Sequence, residues 1–178
     1  SGIFPAGTTL TLSSDLSNGR SIWYTLDGTD PRFTSNTTVL STETLVDITT
    51  PVRAIVPTSD IGTNWRGGNE PYDDDTWISG TNGVGFDNAT TYDPYIDINF
   101  EAPNPVMSGV NTSAFVRIPF NVDAAELANF NYLTLQMRYD DGFVAFLNGT
   151  RIAAGNAPQT LAWNSSATQN NDDGIAVT

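Results

Sequence analysis

The feature that most limits the fold is an alternation of apolar and polar residues through residues 114–153. Successive side chains of a β-strand point to opposite faces, so this alternation indicates strands with one apolar face. The first stretch, AFVRIPFNV, puts Arg117 on one face and a row of apolar residues on the other; the row is Val116, Ile118 and Phe120. A helix would require a period near 3.6 residues, which this stretch lacks.

The stretch YLTLQMRY (132–139) alternates in the same way and predicts a second strand. Its inward row is expected to be Leu133, Leu135, Met137 and Tyr139, and its outward row Thr134, Gln136 and Arg138. Two turn signals follow, Asp140-Asp141-Gly142 and Asn148-Gly149. Asn-Gly favours a hairpin because a type I′ turn needs two positive φ angles. With strands at FVAFL (143–147) and TRIAA (150–154), the pattern predicts a meander of at least four strands.

The remainder of the chain adds shorter elements of the same kind. Four further strands are predicted, at residues 8–13, 21–26, 37–40 and 52–56. Residues 60–94 are interpreted as loops pinned by aromatic residues, and 95–113 as a long connection. Asp123 and Glu126 form a capping-box pattern that opens one short helical turn. Because no longer helix is indicated, the fold class is predicted to be all-β.

The amino-acid types exclude most catalytic chemistry. The chain has 178 residues with no His and no Cys, and all seven cations are Arg, so Lys is absent. A Ser-His-Asp triad, a thiolate nucleophile, a Cys/His zinc site and a Schiff base are therefore impossible. A carboxylate pair of the glycosidase type is the main chemistry that remains. With only four Glu, the chain is expected not to be an enzyme, and a catalytic fragment is the third interpretation.

The charge balance limits the kinds of partner that the chain is expected to bind. The formal net charge is −13, with 20 Asp and Glu against seven Arg, so no basic patch for nucleic acid is expected. No apolar run approaches the ~18 residues of a membrane span. A composition rich in Thr, Asn and Ser and poor in charge is typical of an extracellular all-β protein, and an extracellular or cell-surface location is predicted.

Two stretches resemble known modules. The segment IWYTLDGTDPR (22–32) resembles the signature strand and turn of chitobiase C-terminal-like domains, which are small immunoglobulin-like β-sandwiches. A second resemblance is to a galactose-binding-like jelly roll of bacterial, planctomycete-type extracellular proteins, related to the sugar-binding domain of family 2 glycoside hydrolases. It is carried by VPTSDIGTNWRG (56–67), PYDDDTW (71–77), GVGFD (83–87), AFVRIPFNV (114–122), LTLQMRYDDGFVAFLNGTRIA (133–153) and AWNSSA (162–167).

These resemblances imply a two-part organisation. An immunoglobulin-like β-sandwich segment at 1–56 would precede a jelly-roll β-sandwich at 57–178. Proteins of the second kind continue for several strands past the position of Thr178, so the jelly roll is expected to be incomplete at its C-terminus.

Carbohydrate binding requires an exposed aromatic ring for the sugar face and polar groups for its hydroxyls. The candidate residues are Trp65, Arg66, Tyr72, Tyr92 and Tyr95, with Trp163 as a further aromatic. For each ring, packing in the core is the competing interpretation. Trp23 and Trp77 are predicted to be core residues.

Clustered aspartates suggest a structural calcium ion, because Ca²⁺ takes six to eight oxygen ligands. The candidate ligands are Asp73 and Asp75 together with Asp140 and Asp141. Turn and cap formation by these residues is the competing interpretation, since Asp is common in both.

The sequence therefore supports two functional hypotheses of different classes. The first is a non-catalytic carbohydrate-binding or adhesion module, whose partners are a polysaccharide or cell-surface glycan and other domains of a larger protein. The second is a building block of an extracellular filament, sheath or surface layer. Such a block would self-associate by strand addition near residues 174–178.

Overall fold

A computed structural model describes residues 42–89, 91–101, 106–172 and 174. The chain divides into two compact units, and every described residue from Thr44 onward belongs to the second. The strands predicted at 8–13, 21–26 and 37–40, the core residue Trp23 and the terminal stretch 175–178 lie outside the described residues.

The described part of the chain is all-β, as predicted, and the α-helix that lies wholly within it has four residues. Its seven strands are β1 (Pro51–Ile55), β2 (Ile78–Thr81), β3 (Val84–Gly85), β4 (Ile98–Asn99), β5 (Phe115–Arg117), β6 (Phe143–Leu147) and β7 (Thr150–Gly155). Helix α1 spans Ala124–Leu127, and two 3-10 turns cover Asn64–Arg66 and Asp93–Tyr95. None of the helices in the described ranges has the length and apolar character needed to cross a bilayer.

Strand β1 is the centre of a three-stranded antiparallel sheet ordered β2–β1–β5. Ala54 lies opposite Ile78 on one side and Val116 on the other. The predicted strand at 52–56 is thereby confirmed, but its partners belong to the second unit and not to the N-terminal segment to which the prediction assigned it. The identities of the two domains stay predictions.

Alternate residues of β1 face the core. Val52 and Ala54 are buried, and Ile98 and Phe100 pack against them. Ile98 belongs to β4, which runs parallel to β3. The Gly83 carbonyl holds this pair together by accepting from the backbone N–H groups of Asp97 and Ile98, at 2.9 and 3.0 Å. The interpretation of 60–94 as loops and 95–113 as a connection is therefore wrong at β2, β3 and β4.

Strands β6 and β7 form the predicted hairpin. Asn148 and Gly149 have φ angles of 48° and 81°, as a type I′ turn requires. The predicted capping box is also confirmed, because the Asp123 side chain accepts from the Ala125 N–H and Glu126 reaches back to the Asp123 N–H.

The predicted four-stranded meander is wrong in its first half. Strand β5 pairs with β1, and residues 131–139 belong to no strand in the described part of the chain. The prediction that an apolar row of this stretch turns inward is wrong for three of its four members. Leu133, Leu135 and Met137 are 56%, 48% and 50% exposed. Tyr139 alone is half-buried, against Phe143.

Candidate functional site

Trp65 is the centre of an aromatic cluster formed by Trp65, Tyr72, Trp77, Phe115 and Phe146. Its ring stacks on Phe115, with centroids 4.1 Å apart and planes 12° apart. The edge of Phe146 meets it at 6.4 Å, and Trp77 is tilted against it at 6.3 Å. The indole N–H donates to the Gly62 carbonyl at 3.0 Å. Trp65 therefore has a packing role, and Trp77, which is 6% exposed, is a core residue as predicted.

Arg66 and Tyr72 are engaged by the same cluster. The Arg66 guanidinium carbon lies 4.6 Å from the Phe146 ring centroid and 5.6 Å from that of Trp65. Tyr72 meets Trp77 edge to face at 6.0 Å, and Arg117 lies over its ring at 4.7 Å. A sugar ring would have to compete with these contacts. The assignment of Trp65, Arg66 and Tyr72 to carbohydrate binding stays a prediction.

Arg117 links the cluster to two carboxylates. Its Nε donates to Asp74 Oδ2 at 2.7 Å, and its Nη2 donates to both Glu70 oxygens at 3.0 Å. Its Nη1 donates to the Trp65 carbonyl. Burial lowers the pKa of Arg117, but the hydrogen bonds that it donates to Asp74 and Glu70 outweigh burial and raise the pKa above its usual value. This ion-pair network holds the acidic stretch before Trp77 onto β5, and nothing in the sequence pattern indicated it.

Tyr92 and Tyr95 lie at the 3-10 turn Asp93–Tyr95. Tyr92 is half-buried, and its N–H donates to Asp87 Oδ2 at 2.7 Å. Tyr95 is 54% exposed. Of the five residues proposed for carbohydrate binding, Tyr95 is the one whose ring is most open to solvent.

The four candidate calcium ligands are placed in turns. Asp73 Oδ1 accepts from the Asp75 N–H at 3.3 Å, and the Asp140 carbonyl accepts from the Gly142 N–H at 2.9 Å. Asp141 has a φ of 58°, and its carbonyl accepts from Asn156 Nδ2 at 2.8 Å. No three acidic side chains of the described residues come together as a metal site. The described residues thus supply no ligand set for calcium, and the calcium site stays a prediction.

The most unusual surface is residues 133–138, which we name the open segment. These six residues make no hydrogen bond with any described residue. Leu133, Leu135 and Met137 present their apolar side chains to solvent. Exposed apolar side chains beside unpaired backbone groups are the features by which a sheet edge accepts another strand.

An apolar groove adjoins the open segment. It has a volume of about 410 Å³ and is lined by Leu133, Leu135, Leu147, Ile152 and Ala153. Ile152 is itself 48% exposed. The groove therefore extends the apolar surface from the open segment onto the β6–β7 hairpin.

Two arginines are the charged residues of this surface. Arg138 belongs to the open segment and Arg151 to β7, and neither forms an ion pair with a described residue. Residues 127–139 and 143–155 contain no Asp or Glu, although the chain as a whole carries a net charge of −13. The open segment and hairpin thus form a locally basic, apolar surface on an acidic protein.

Comparison of this chain with protein-family models, curated proteins and solved structures gave no match.

Proposed function

We propose that this chain is a non-catalytic building block of an extracellular assembly, joined to a neighbouring chain by strand addition at the open segment. The observation that carries this proposal is the coincidence, in residues 133–138, of backbone groups without partners and an exposed apolar row. An added strand would satisfy the backbone groups and cover the apolar side chains in one step.

The open segment lacks the devices that normally protect an edge. Natural edges are blunted by prolines, inward-pointing charges or a covering element. Residues 133–138 contain no proline, and their one charge, Arg138, belongs to the polar row of the alternation. The sequence pattern LTLQMR has the period of a strand, so Leu133, Leu135 and Met137 would share one face once the segment pairs as a strand.

The finer architecture belongs to the same proposal. An immunoglobulin-like segment followed by a galactose-binding-like jelly roll is supported by the order of the motifs along the chain and by the all-β content of the described residues. In this arrangement β1 contributes to the sheet of the jelly roll, because its two partners are β2 and β5.

The non-catalytic role is supported by composition and by the state of the carboxylates. The chain has no His and no Cys. Two carboxylates that share a partner, Glu70 and Asp74, are both bound by Arg117. A glycosidase requires one carboxyl group that donates a proton and another that attacks or activates water. Because hydrogen bonds from Arg117 engage both carboxylates, this pair is poorly suited to either task.

Sedimentation velocity and light scattering of the 178-residue chain over a range of concentrations test the proposal. Wild type should associate, whereas Leu135→Glu, which puts a charge in the apolar row, should stay monomeric. Gln136→Pro should also prevent association, because proline removes a backbone donor that the monomer does not use. The matched control is Ile48→Glu, which changes the charge equally at a residue that is 78% exposed and lies elsewhere.

A wild-type chain that stays monomeric, or association that Leu135→Glu leaves unchanged, would overturn the proposal. The same runs with Ca²⁺ and with EGTA test the predicted calcium ion, because a structural ion would change association or stability when removed.

Glycan binding or adhesion is the second candidate, and the exposure of Tyr95 favours it. Its exposed ring offers an apolar face, and the neighbouring residues in the sequence, Asp93 and Asp97, carry hydrogen-bond acceptors. Glycan-array binding by the wild type that is lost in Tyr95→Ala but kept in Tyr132→Ala would support this function. The control is suitable because Tyr132 is comparably exposed, at 57%.

A further inference from the structure

We infer that the neighbour at the open segment is a second copy of this chain, and that the two open segments pair antiparallel about a twofold axis at Leu135. The inference rests on the strand addition proposed above and names the partner at that same site. Three features carry it: the register of the apolar row, the position of the groove and the distribution of charge.

The apolar row is complementary to itself in one register. Directly opposite residues of an antiparallel pair face the same side. A twofold axis at Leu135 places Leu135 opposite itself and Leu133 opposite Met137, so both apolar rows form one continuous surface. An axis at Gln136 would instead place Leu133 opposite Tyr139, whose ring is already packed on Phe143 with a centroid distance of 4.6 Å.

In this register Met137 of the second copy, a flexible side chain, lies next to the groove. Leu133 lines the groove, and in the inferred register Met137 of the second copy lies opposite Leu133. Methionine is unbranched and fills irregular apolar gaps. Each groove of the pair would therefore receive the methionine of the other copy, which covers Ile152 as well as the row itself.

The distribution of charge favours contact between two copies through this surface over contact through their other surfaces. Two chains of net charge −13 repel one another, and the repulsion is weakest where no carboxylate is present. Residues 127–139 and 143–155 meet that condition. In the inferred register Arg138 lies opposite Tyr132 and not opposite another arginine, so the two segments place no like charges directly opposite each other.

Cysteine cross-linking tests the register directly, because the chain has no cysteine of its own. Residue 134 of one copy lies opposite residue 136 of the other in the inferred pair. Opposite Cα atoms in an antiparallel ladder are about 4.5–5.5 Å apart, within the range that a disulfide spans. Thr134→Cys and Gln136→Cys should each cross-link poorly alone. A mixture of the two variants should cross-link efficiently when oxidised glutathione is added. The two protein thiols are oxidised to a disulfide, and the glutathione disulfide is reduced to two thiols.

Two controls accompany the cross-linking. Ser59→Cys, at an exposed position outside this surface, should give only the background level of cross-linking. Leu135→Glu introduced into both cysteine chains should reduce the mixed cross-link to that background. Near-ultraviolet circular dichroism of the packed tryptophans checks that each variant keeps its fold.

Salt gives an independent readout. Raising NaCl from ~0.1 M to ~1 M shortens the screening length from about 10 Å to about 3 Å. An apolar contact between two acidic copies should tighten severalfold, because their mutual repulsion is screened. A contact made instead by Arg138 or Arg151 to carboxylates of a partner should weaken.

The outcomes separate this inference from the function on which it rests. Suppose that Leu135→Glu abolishes association. If Thr134→Cys and Gln136→Cys then give no excess cross-link, or if association weakens with salt, the symmetric pairing is overturned and strand addition still stands. The absence of any association overturns both.

Discussion

Arg117 Nε lies 2.7 Å from Asp74 Oδ2, and this ion pair ties β5 to the acidic stretch that precedes Trp77. Their side chains are 12% and 21% exposed, so water screens the pair less than it screens a surface salt bridge. Arg117 also binds Glu70 and the Trp65 carbonyl, so it holds the backbone at Trp65 and the side chain of Glu70 next to the aromatic cluster.

The first prediction concerns this ion pair. Arg117→Met should lower the free energy of unfolding by about 2–3 kcal/mol, because it leaves two carboxylates and a backbone carbonyl without their donor. Urea denaturation measures the loss. The matched control is Arg151→Met, because Arg151 forms no ion pair with a described residue. It should change the free energy of unfolding by less than about 0.5 kcal/mol. Equal losses in the two variants would assign the effect to arginine content and not to the network.

The second prediction concerns the contact between Gly68 and the hairpin turn. Gly68 has a φ of 83°, and a Cβ there would lie 2.7 Å from the Asn148 carbonyl oxygen. Gly68→Ala should therefore destabilise the protein by about 1–3 kcal/mol. Thermal unfolding measures the change. Gly85→Ala is the control, since nothing lies within 4 Å of its Cβ position. If Gly68→Ala is as well tolerated as Gly85→Ala, the loop does not rest on the turn.

The third prediction separates packing from ligand contact among the aromatic candidates. Trp65→Ala should destabilise the protein by about 3 kcal/mol, because the ring stacks on Phe115 and meets Phe146 and Trp77. Tyr95→Ala should cost less than about 0.5 kcal/mol, as expected for a largely exposed side chain. Denaturant unfolding of both variants provides the comparison. A Trp65→Ala protein as stable as wild type would contradict the packing role.

The fourth prediction is a loss of stability in acid that depends on Asp87. Backbone hydrogen bonds from Tyr92 and then Ala89 hold the pKa of Asp87 below its ordinary value. A depressed carboxyl pKa stabilises the folded state above the unfolded pKa, and this contribution disappears as the pH falls through the folded value. Asp87→Asn should therefore lower the urea midpoint most at about pH 6 and least at about pH 2.

The control for Asp87 is Asp75→Asn, at a carboxylate that makes no hydrogen bond with a described residue. It should give urea midpoints close to wild type at both pH values. A midpoint difference for Asp87→Asn that persists unchanged into acid would show that shape, and not ionisation, matters at this turn. Asp47 contributes in the same sense, since a side-chain hydrogen bond from Thr49 and then the Thr49 N–H lower its pKa.

Local signals in the sequence were reliable wherever a single turn or cap determined the outcome. The Asn148-Gly149 hairpin and the Asp123 capping box follow from backbone preferences that act within a few residues. Strand β1 was also predicted, because PVRAI is short, β-branched and bounded by prolines. The partners of β1 could not be predicted, since strands far along the chain supply them.

Features that depend on distant contacts were missed. Strand β4 has two residues and lies in an acidic stretch, yet it contributes Ile98 to the core because the Gly83 carbonyl fixes its place. Arg117 was assigned to the polar face of its strand, but Asp74 and Glu70 make that face favourable for a half-buried arginine. For the open segment the alternation predicts a strand with one buried face, but residues 133–138 belong to no strand and both rows of side chains are exposed. Alternation shows which residues would share a face of a strand, but it does not supply the neighbouring strand or the core that would cover that face.

The central position of β1 has a consequence for the order in which the protein is made. Pro51–Ile55 leaves the ribosome before both of its neighbours, and its second edge stays open until Phe115–Arg117 has been synthesised. The nascent chain must therefore keep Val52 and Ala54 without a complete cover until β5 has been made. A product that stops before Phe115 would retain an apolar strand with one bare edge, which makes it a target for chaperones and proteases.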